Sequence, residues 1–239
     1  DYERITTELQ GVIFKDPSAD ADDPEAGWQT ADEYLSGNVR QKLAVAQGKA
    51  EQDPQYQINA DALAQVQPTD LTASEISVRL GATWLDKKYI EQFMYETFET
   101  PRYLRGQIEI SYVPYTAEWQ VSRKSMVRYN DVAAFTTYGT DRASAYRLLE
   151  DALNLRDIRI YDTIEDADGR ERRVLNAKET TLAAQKQQLI RDAFKDWIWK
   201  DPERRETLVR QYNEEMNSTR PREYDGCLLY TSPSPRDTR

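Results

Sequence analysis

The chain contains no histidine and only one cysteine among its 239 residues. The absence of histidine excludes Ser-His-Asp and Cys-His nucleophilic sites, a histidine general base and histidine metal ligands. A single cysteine cannot form an intrachain disulfide or a CxxC zinc or redox site. The residue types that most often carry catalysis and metal binding are nearly missing, so the residues alone indicate no reaction.

Long apolar runs are also missing, and none approaches the roughly 18 residues that a membrane-spanning helix needs. The chain opens on Asp1 and lacks the basic region and apolar stretch of a secretory signal. Apolar residues still make up 39% of the chain, which is enough for a core. We expect a soluble, cytoplasmic protein, and we interpret the chain as an interior fragment of a longer one.

The charge is unevenly distributed. The whole chain has 42 acidic and 32 basic residues, and residues 1–34 contain ten of the acids but only two of the bases. The rest of the chain is therefore close to neutral. Acidic proteins are weak candidates for nucleic-acid binding because phosphate contacts need clustered Lys and Arg. Here that objection applies only to the N-terminal segment.

The last thirteen residues, CLLYTSPSPRDTR, have neither a helical nor a strand period. They resemble a translated sequencing adapter, so we expect residues 227–239 to be disordered and artefactual, and the natural chain to continue past Gly226. The alternative is an ordinary disordered terminus. In either case Cys227 is not a candidate nucleophile.

The pattern of apolar residues predicts an α+β fold. Capping residues and periodic apolar positions predict helices over residues 39–52, 60–66, 73–80, 87–98 and 142–153, followed by two C-terminal helices. In the first of those two, Leu182, Leu189, Ala193 and Trp197 belong to a wide apolar stripe. The predicted organisation is an acidic irregular segment (1–29), a helical block (30–101), a small antiparallel sheet module with one helix (102–176), a two-helix segment (177–226) and the tail (227–239).

Two hairpins are predicted in the sheet module. The first alternates through Ile108, Ile110 and Tyr112 and returns through Trp119 and Val121. The second alternates over residues 156–163, turns at Asp168-Gly169 and returns over residues 173–175.

Aromatic and basic residues are interleaved through the first hairpin and the segment after it. Aromatic rings can stack on exposed bases while Arg and Lys contact phosphates, so this pattern is typical of a single-strand-binding sheet. The interpretation that we favour is that Tyr and Trp form strands and the bases solvate the other face. The possible nucleic-acid-binding residues are Arg105, Tyr112, Tyr115, Trp119, Arg123, Lys124 and Arg128.

No motif for a cofactor or a catalytic site is found. The pair Gly48-Lys49 lacks the upstream glycine and the following Ser or Thr of a phosphate loop. The chain has no dinucleotide-binding fingerprint, nucleophile elbow or methyltransferase tetrapeptide. We therefore predict no catalytic, cofactor-binding or metal-binding residue in this chain.

Seven stretches resemble one family in order along the chain. The stretches are WQTADEYLSGNVR (28–40), LTASEISVRLGATW (71–84), EQFMYE (91–96), LNLR (153–156), VLNAKET (174–180), FKDWIWKDPERR (194–205) and NSTRPREYDG (217–226). They resemble part of the very large DNA methylase and helicase fusion proteins of bacterial mobile elements.

The resemblance implies an adenine-specific methyltransferase module upstream and a Swi/Snf-type, ATP-dependent helicase module just downstream. It thus implies S-adenosylmethionine and ATP as cofactors of the parent protein, DNA as its substrate, and the two modules as neighbours of this region. Neither module's catalytic motif falls within the chain. The expected function is a non-catalytic connecting region, and the alternative is a module that binds single-stranded nucleic acid through the sheet.

Overall fold

The structure is a computed structural model that describes residues 7–19, 23, 26–165 and 170–223. The chain divides into two compact units. Unit 1 comprises Asp1–Thr72 and Val209–Arg239, and unit 2 comprises Ala73–Leu208. Both combine helices with short antiparallel strands, which confirms the predicted α+β class. In the part of the chain that is described, no helix is both long enough and apolar enough to span a bilayer.

Unit 1 is built around a small apolar core. Strands β1 (Ile13–Lys15) and β2 (Trp28–Thr30) pair antiparallel and lead into the short helix α1 (Ala31–Tyr34). Helices α2 (Val39–Ala50) and α3 (Gln57–Gln65) pack together after a 3₁₀ turn at Pro54–Tyr56. The rings of Phe14 and Tyr34 stack with centroids 5.1 Å apart in the core.

Distant parts of the chain complete unit 1. Strand β3 (Gly37–Asn38) pairs with β8 (Thr219–Arg220), which follows helix α7 (Pro202–Glu215). Asn213 Nδ2 donates to the Leu71 carbonyl oxygen over 2.9 Å, and the Leu71 N–H donates to Asn213 Oδ1 over 2.8 Å. The amide of Asn213 thereby pairs with the extended backbone at Leu71 much as a neighbouring strand would.

Unit 2 has a larger, aromatic core between two helices. Helix α4 (Lys87–Thr97) begins where the Asp86 carboxylate accepts the Lys88 N–H, and it buries Ile90, Phe93 and Met94. Helix α6 (Ala177–Lys200) begins at its N-cap Asn176, as predicted, and contributes Phe194. The rings of Phe93 and Phe194 meet edge to face with centroids 5.1 Å apart.

The first predicted hairpin is present in unit 2. Strands β4 (Ile110–Val113) and β5 (Glu118–Val121) pair antiparallel with Ile110 opposite Val121 and Tyr112 opposite Trp119. Helix α5 (Ala145–Leu153) contacts β5. This helix starts three residues later than predicted because Ser144, and not Asp141, occupies its N-cap.

The second hairpin is formed by β6 (Tyr161–Glu165) and β7 (Glu171–Leu175). It is a separate two-stranded sheet and does not extend the β4–β5 sheet. The predicted turn at Asp168-Gly169 lies outside the described residues, as does the tail at 227–239.

The predicted helix over residues 73–80 is wrong, because this segment forms turns and extended backbone. Ile76, Val78 and Leu80 are buried while the residues between them are exposed. That alternation has the period of two that extended backbone produces. Gly81 follows with a φ of +84°, and a Cβ there would lie 2.2 Å from the Leu153 carbonyl oxygen. The capping-box pattern at Thr72 thus precedes no helix.

The apolar stripe predicted on the first C-terminal helix is only partly correct. The buried positions of α6 are Ala183, Gln187, Ile190, Phe194 and Ile198. Leu182 and Leu189 lie largely in solvent instead. A wide stripe leaves its edges uncovered when the packed face is narrower than the apolar one.

Candidate nucleic-acid interface

Trp119 is at the centre of the predicted stacking surface, but the structure buries it, with 6% of its surface exposed. Its backbone is fixed by the side chain of Asn154, which follows α5. The Trp119 N–H donates to Asn154 Oδ1, and Asn154 Nδ2 donates back to the Trp119 carbonyl oxygen, both over 2.8 Å. A base cannot stack on a ring in this position.

Two of the predicted basic residues are engaged within the protein. Lys124 forms an ion pair with Glu150, whose other carboxylate oxygen accepts the Val121 N–H over 2.8 Å. Arg105 Nε donates to the Thr100 carbonyl oxygen over 2.9 Å. Both side chains therefore hold backbone elements in place.

The two tyrosines of the hairpin do not form a platform. Tyr112 packs on Trp119 with ring centroids 4.9 Å apart, and it lies at the border of the covered face. Tyr115 is 98% exposed in the turn between the strands. The outward face of the hairpin carries Ser111, Gln120 and Glu118, so it is neutral to acidic. The sheet lacks the combination of rings and positive charge that single-strand binding requires.

The exposed aromatic and basic residues lie instead in the segment that follows β5, here called the 123–135 loop. It contains Arg123, Lys124 and Arg128 against the single acid Asp131. Tyr129 is 82% exposed, and one side of its ring packs on Phe135 with centroids 4.9 Å apart. The sequence pattern included Arg123, Arg128 and Tyr129, but it gave no sign that Phe135 supports the tyrosine.

The end of this loop is anchored. A turn of π-helix runs over Ala133–Thr137, and Lys186 Nζ donates to the carbonyl oxygens of Thr136 and Thr137 over 2.7 and 3.0 Å. Gly139 packs so closely that a Cβ would lie 2.0 Å from the Ala134 carbonyl oxygen. π-helical turns are rare and occur often at functional sites. The ring pair therefore projects from a fixed base.

Unit 1 contains a separate cleft of about 240 Å³ whose lining includes Asp16, Tyr34 and Lys42. Lys42 Nζ donates to the carbonyl oxygens of Tyr34 and Ser36 over 2.8 and 3.0 Å, so it neutralises the end of α1. Burial lowers the pKa of Lys42 and raises the pKa of Tyr34. The cation already serves the helix, and the cleft does not indicate a ligand.

The described residues also give no support to a phosphate or metal site. Gly48-Lys49 lies inside α2, where the backbone N–H groups belong to the helix, so it cannot cradle a phosphate. No cluster of three or more Cys, Asp or Glu side chains suited to a metal ion occurs among them.

A comparison with known families gives one match. Residues 79–218, more than half of the chain, match the model of a family described as "Domain of unknown function (DUF8437)". The chain belongs to this family. The region matched to DUF8437 includes both hairpins of unit 2, the 123–135 loop, α6 and α7. Neither the curated proteins nor the solved structures include a match to the chain.

Proposed function

We propose that this chain is a non-catalytic connecting region of a DNA-processing methylase and helicase fusion protein. The proposal rests on the use of its buried polar side chains, which bond to the backbone of neighbouring elements. The sequence resemblance supplies the identity of the neighbouring modules.

Both units contain such contacts. In unit 1, Asn59 Nδ2 donates to the Lys15 carbonyl oxygen over 2.9 Å. In unit 2, Gln187 Nε2 donates to the Arg156 carbonyl oxygen over 2.8 Å. Arg204 Nε, also in unit 2, donates to the Ile198 carbonyl oxygen over 3.0 Å while its guanidinium lies 3.6 Å from the centroid of a tryptophan ring. Side chains used in this way fix the geometry of a scaffold, because each satisfies a backbone group that would otherwise be buried without a partner.

In this proposal the cofactors belong to the neighbouring modules. ATP is used by the helicase module and S-adenosylmethionine by the methyltransferase module, both in the cytoplasm. DNA is the substrate of the whole protein. The present region determines the spacing and orientation of the two modules.

The test compares the isolated chain with a longer protein that continues into the expected helicase module. We expect the isolated chain to hydrolyse no ATP and to transfer no methyl group to adenine, and the longer protein to show DNA-stimulated ATP hydrolysis. Two results would contradict the proposal. One is turnover by the isolated chain that a point substitution within it abolishes. The other is a longer protein without DNA-stimulated ATP hydrolysis.

The second candidate, single-strand binding through the sheet, loses its central residue because Trp119 is buried. A nucleic-acid contact is favoured by a different observation, the exposed ring pair of the 123–135 loop.

A further inference from the structure

We infer that the 123–135 loop is a binding site for single-stranded nucleic acid, in which Tyr129 stacks on a base and Arg123 and Arg128 contact the flanking phosphates. This site is independent of the connector proposal. It requires only the isolated chain.

The first argument is the arrangement of the rings. Tyr129 packs on Phe135 with an angle of 34° between the two rings, and 82% of its surface is still exposed. One face of the tyrosine is therefore supported while the other is open. A ring held in this way loses little conformational freedom when a base stacks on it. Exposed apolar side chains, Met126 and Val132, extend the surface in the same segment.

The second argument is charge. Arg123 and Arg128 are exposed, and neither guanidinium has an ion pair or hydrogen bond with any residue that the structure describes. The only acid of the loop, Asp131, accepts the Ala134 N–H over 3.0 Å and so belongs to the start of the π-helical turn. Two free guanidinium groups beside an open ring match the phosphates and bases of a single strand.

The third argument is backbone conformation. Arg123 has a φ of +47°, in the left-handed region that non-glycine residues rarely adopt. It directly precedes the 3₁₀ turn Lys124–Met126. Left-handed conformations of this kind occur preferentially at functional sites, where the surrounding structure maintains them. Here the ion pair of Lys124 with Glu150 holds the chain immediately after Arg123.

Single-stranded nucleic acid is favoured over a protein partner for two reasons. The loop has three bases against one acid, and its most exposed ring is a lone tyrosine rather than part of a continuous apolar patch. Duplex DNA is disfavoured because its bases are already stacked and cannot reach Tyr129.

The test is fluorescence anisotropy of the whole chain with a labelled 20-nucleotide oligothymidylate. We expect binding that weakens as salt rises. Tyr129→Ala should weaken it by about 5- to 100-fold, since a stacked base contributes about 1–3 kcal/mol. Tyr129→Phe should retain it. The double change Arg123→Ala with Arg128→Ala should lower the slope of log affinity against log salt by about 1.4, or about 0.7 for each phosphate contact.

Two control variants assign the effect to the loop. Tyr115→Ala removes another exposed tyrosine, and Arg170→Ala with Arg172→Ala removes the same charge from the second hairpin. Neither should change the affinity more than about twofold. Three results would overturn the proposal: absence of binding at 20 mM salt, equal losses in control and loop variants, or tighter binding to the duplex than to the single strand. If no oligonucleotide binds, the patch is a protein contact.

Discussion

The two hairpins of unit 2 have similar alternating sequences and opposite environments. In β4–β5 the residues Ile110, Trp119 and Val121 are all buried. In β6–β7 every residue of β7 is exposed, including Val174 and Leu175. A two-stranded hairpin is marginally stable by itself, so the covering of one face decides whether it belongs to the core.

The difference arises from side chains outside the strands. Asn154 and Glu150 accept the outward N–H groups of Trp119 and Val121 in the first hairpin. In the second, the contacts are those of charged groups. Arg142 pairs with Asp162, and this hydrogen bond, followed by a second one from Asn176, lowers the pKa of the Asp162 carboxyl. Such exposed pairs contribute little to stability. The first hairpin therefore belongs to the scaffold, and the second is an appendage of it.

The largest expected effect is that of Trp119→Ala. Removing a buried indole should lower the free energy of unfolding by roughly 3–5 kcal/mol. The matched variant Tyr112→Ala, on the opposite strand, should cost clearly less because its ring is partly exposed. Urea denaturation followed by circular dichroism measures both. Equal losses would mean that the two rings are equally covered and that the first hairpin is not part of the core.

An intermediate effect is expected at high pH from the helix that covers the first hairpin. The Tyr146 hydroxyl is within 2.7 Å of the Thr100 hydroxyl, and burial raises the pKa of Tyr146 to about 12. The unfolded chain releases this proton near pH 10, so the folded state binds more protons between pH 10 and 12 and stability falls there. The loss should reach roughly 2–3 kcal/mol and be absent below pH 10.

Urea titrations of the wild type and of Tyr146→Phe at pH 9, 10 and 11 measure this effect. The variant should lose less stability than the wild type as pH rises, whatever its stability at pH 9. Parallel profiles would show that Tyr146 ionises as readily in the folded state as in the unfolded state.

The smallest effect is expected in the second hairpin. Ile164→Thr and Val174→Thr replace exposed side chains on one face of β6–β7 with another strand-forming residue. Each should change the free energy of unfolding by less than about 0.5 kcal/mol. A loss above about 1 kcal/mol for either variant would indicate that this face is covered and would remove the contrast between the hairpins.

Local patterns predicted the elements better than their surroundings. Asn38, Asp86 and Asn176 each accept a backbone N–H at the start of the helix predicted for them, since capping depends on residues within one turn. The capping pattern at Thr72 failed because burial of Ile76, Val78 and Leu80 outweighs helix propensity.

The candidate site depended on long-range contacts. Composition predicted that rings and bases share one region, and Arg123, Arg128 and Tyr129 are exposed in it. Sequence could not predict that Asn154, 35 residues away, holds Trp119 in the core, or that Lys124 pairs with Glu150. Both contacts depend on how α5 packs against the first hairpin.

Native-state hydrogen exchange tests the contrast between the hairpins most directly. The amides of Ile110, Trp119 and Val121 donate to the carboxylate or amide side chains of Glu91, Asn154 and Glu150. We predict that they exchange only through opening of the core, with protection close to that of α4 and α6. The amides of β6 and β7 should exchange much faster through local opening. Equal protection of the two hairpins, or greater protection of β6–β7, would contradict the account.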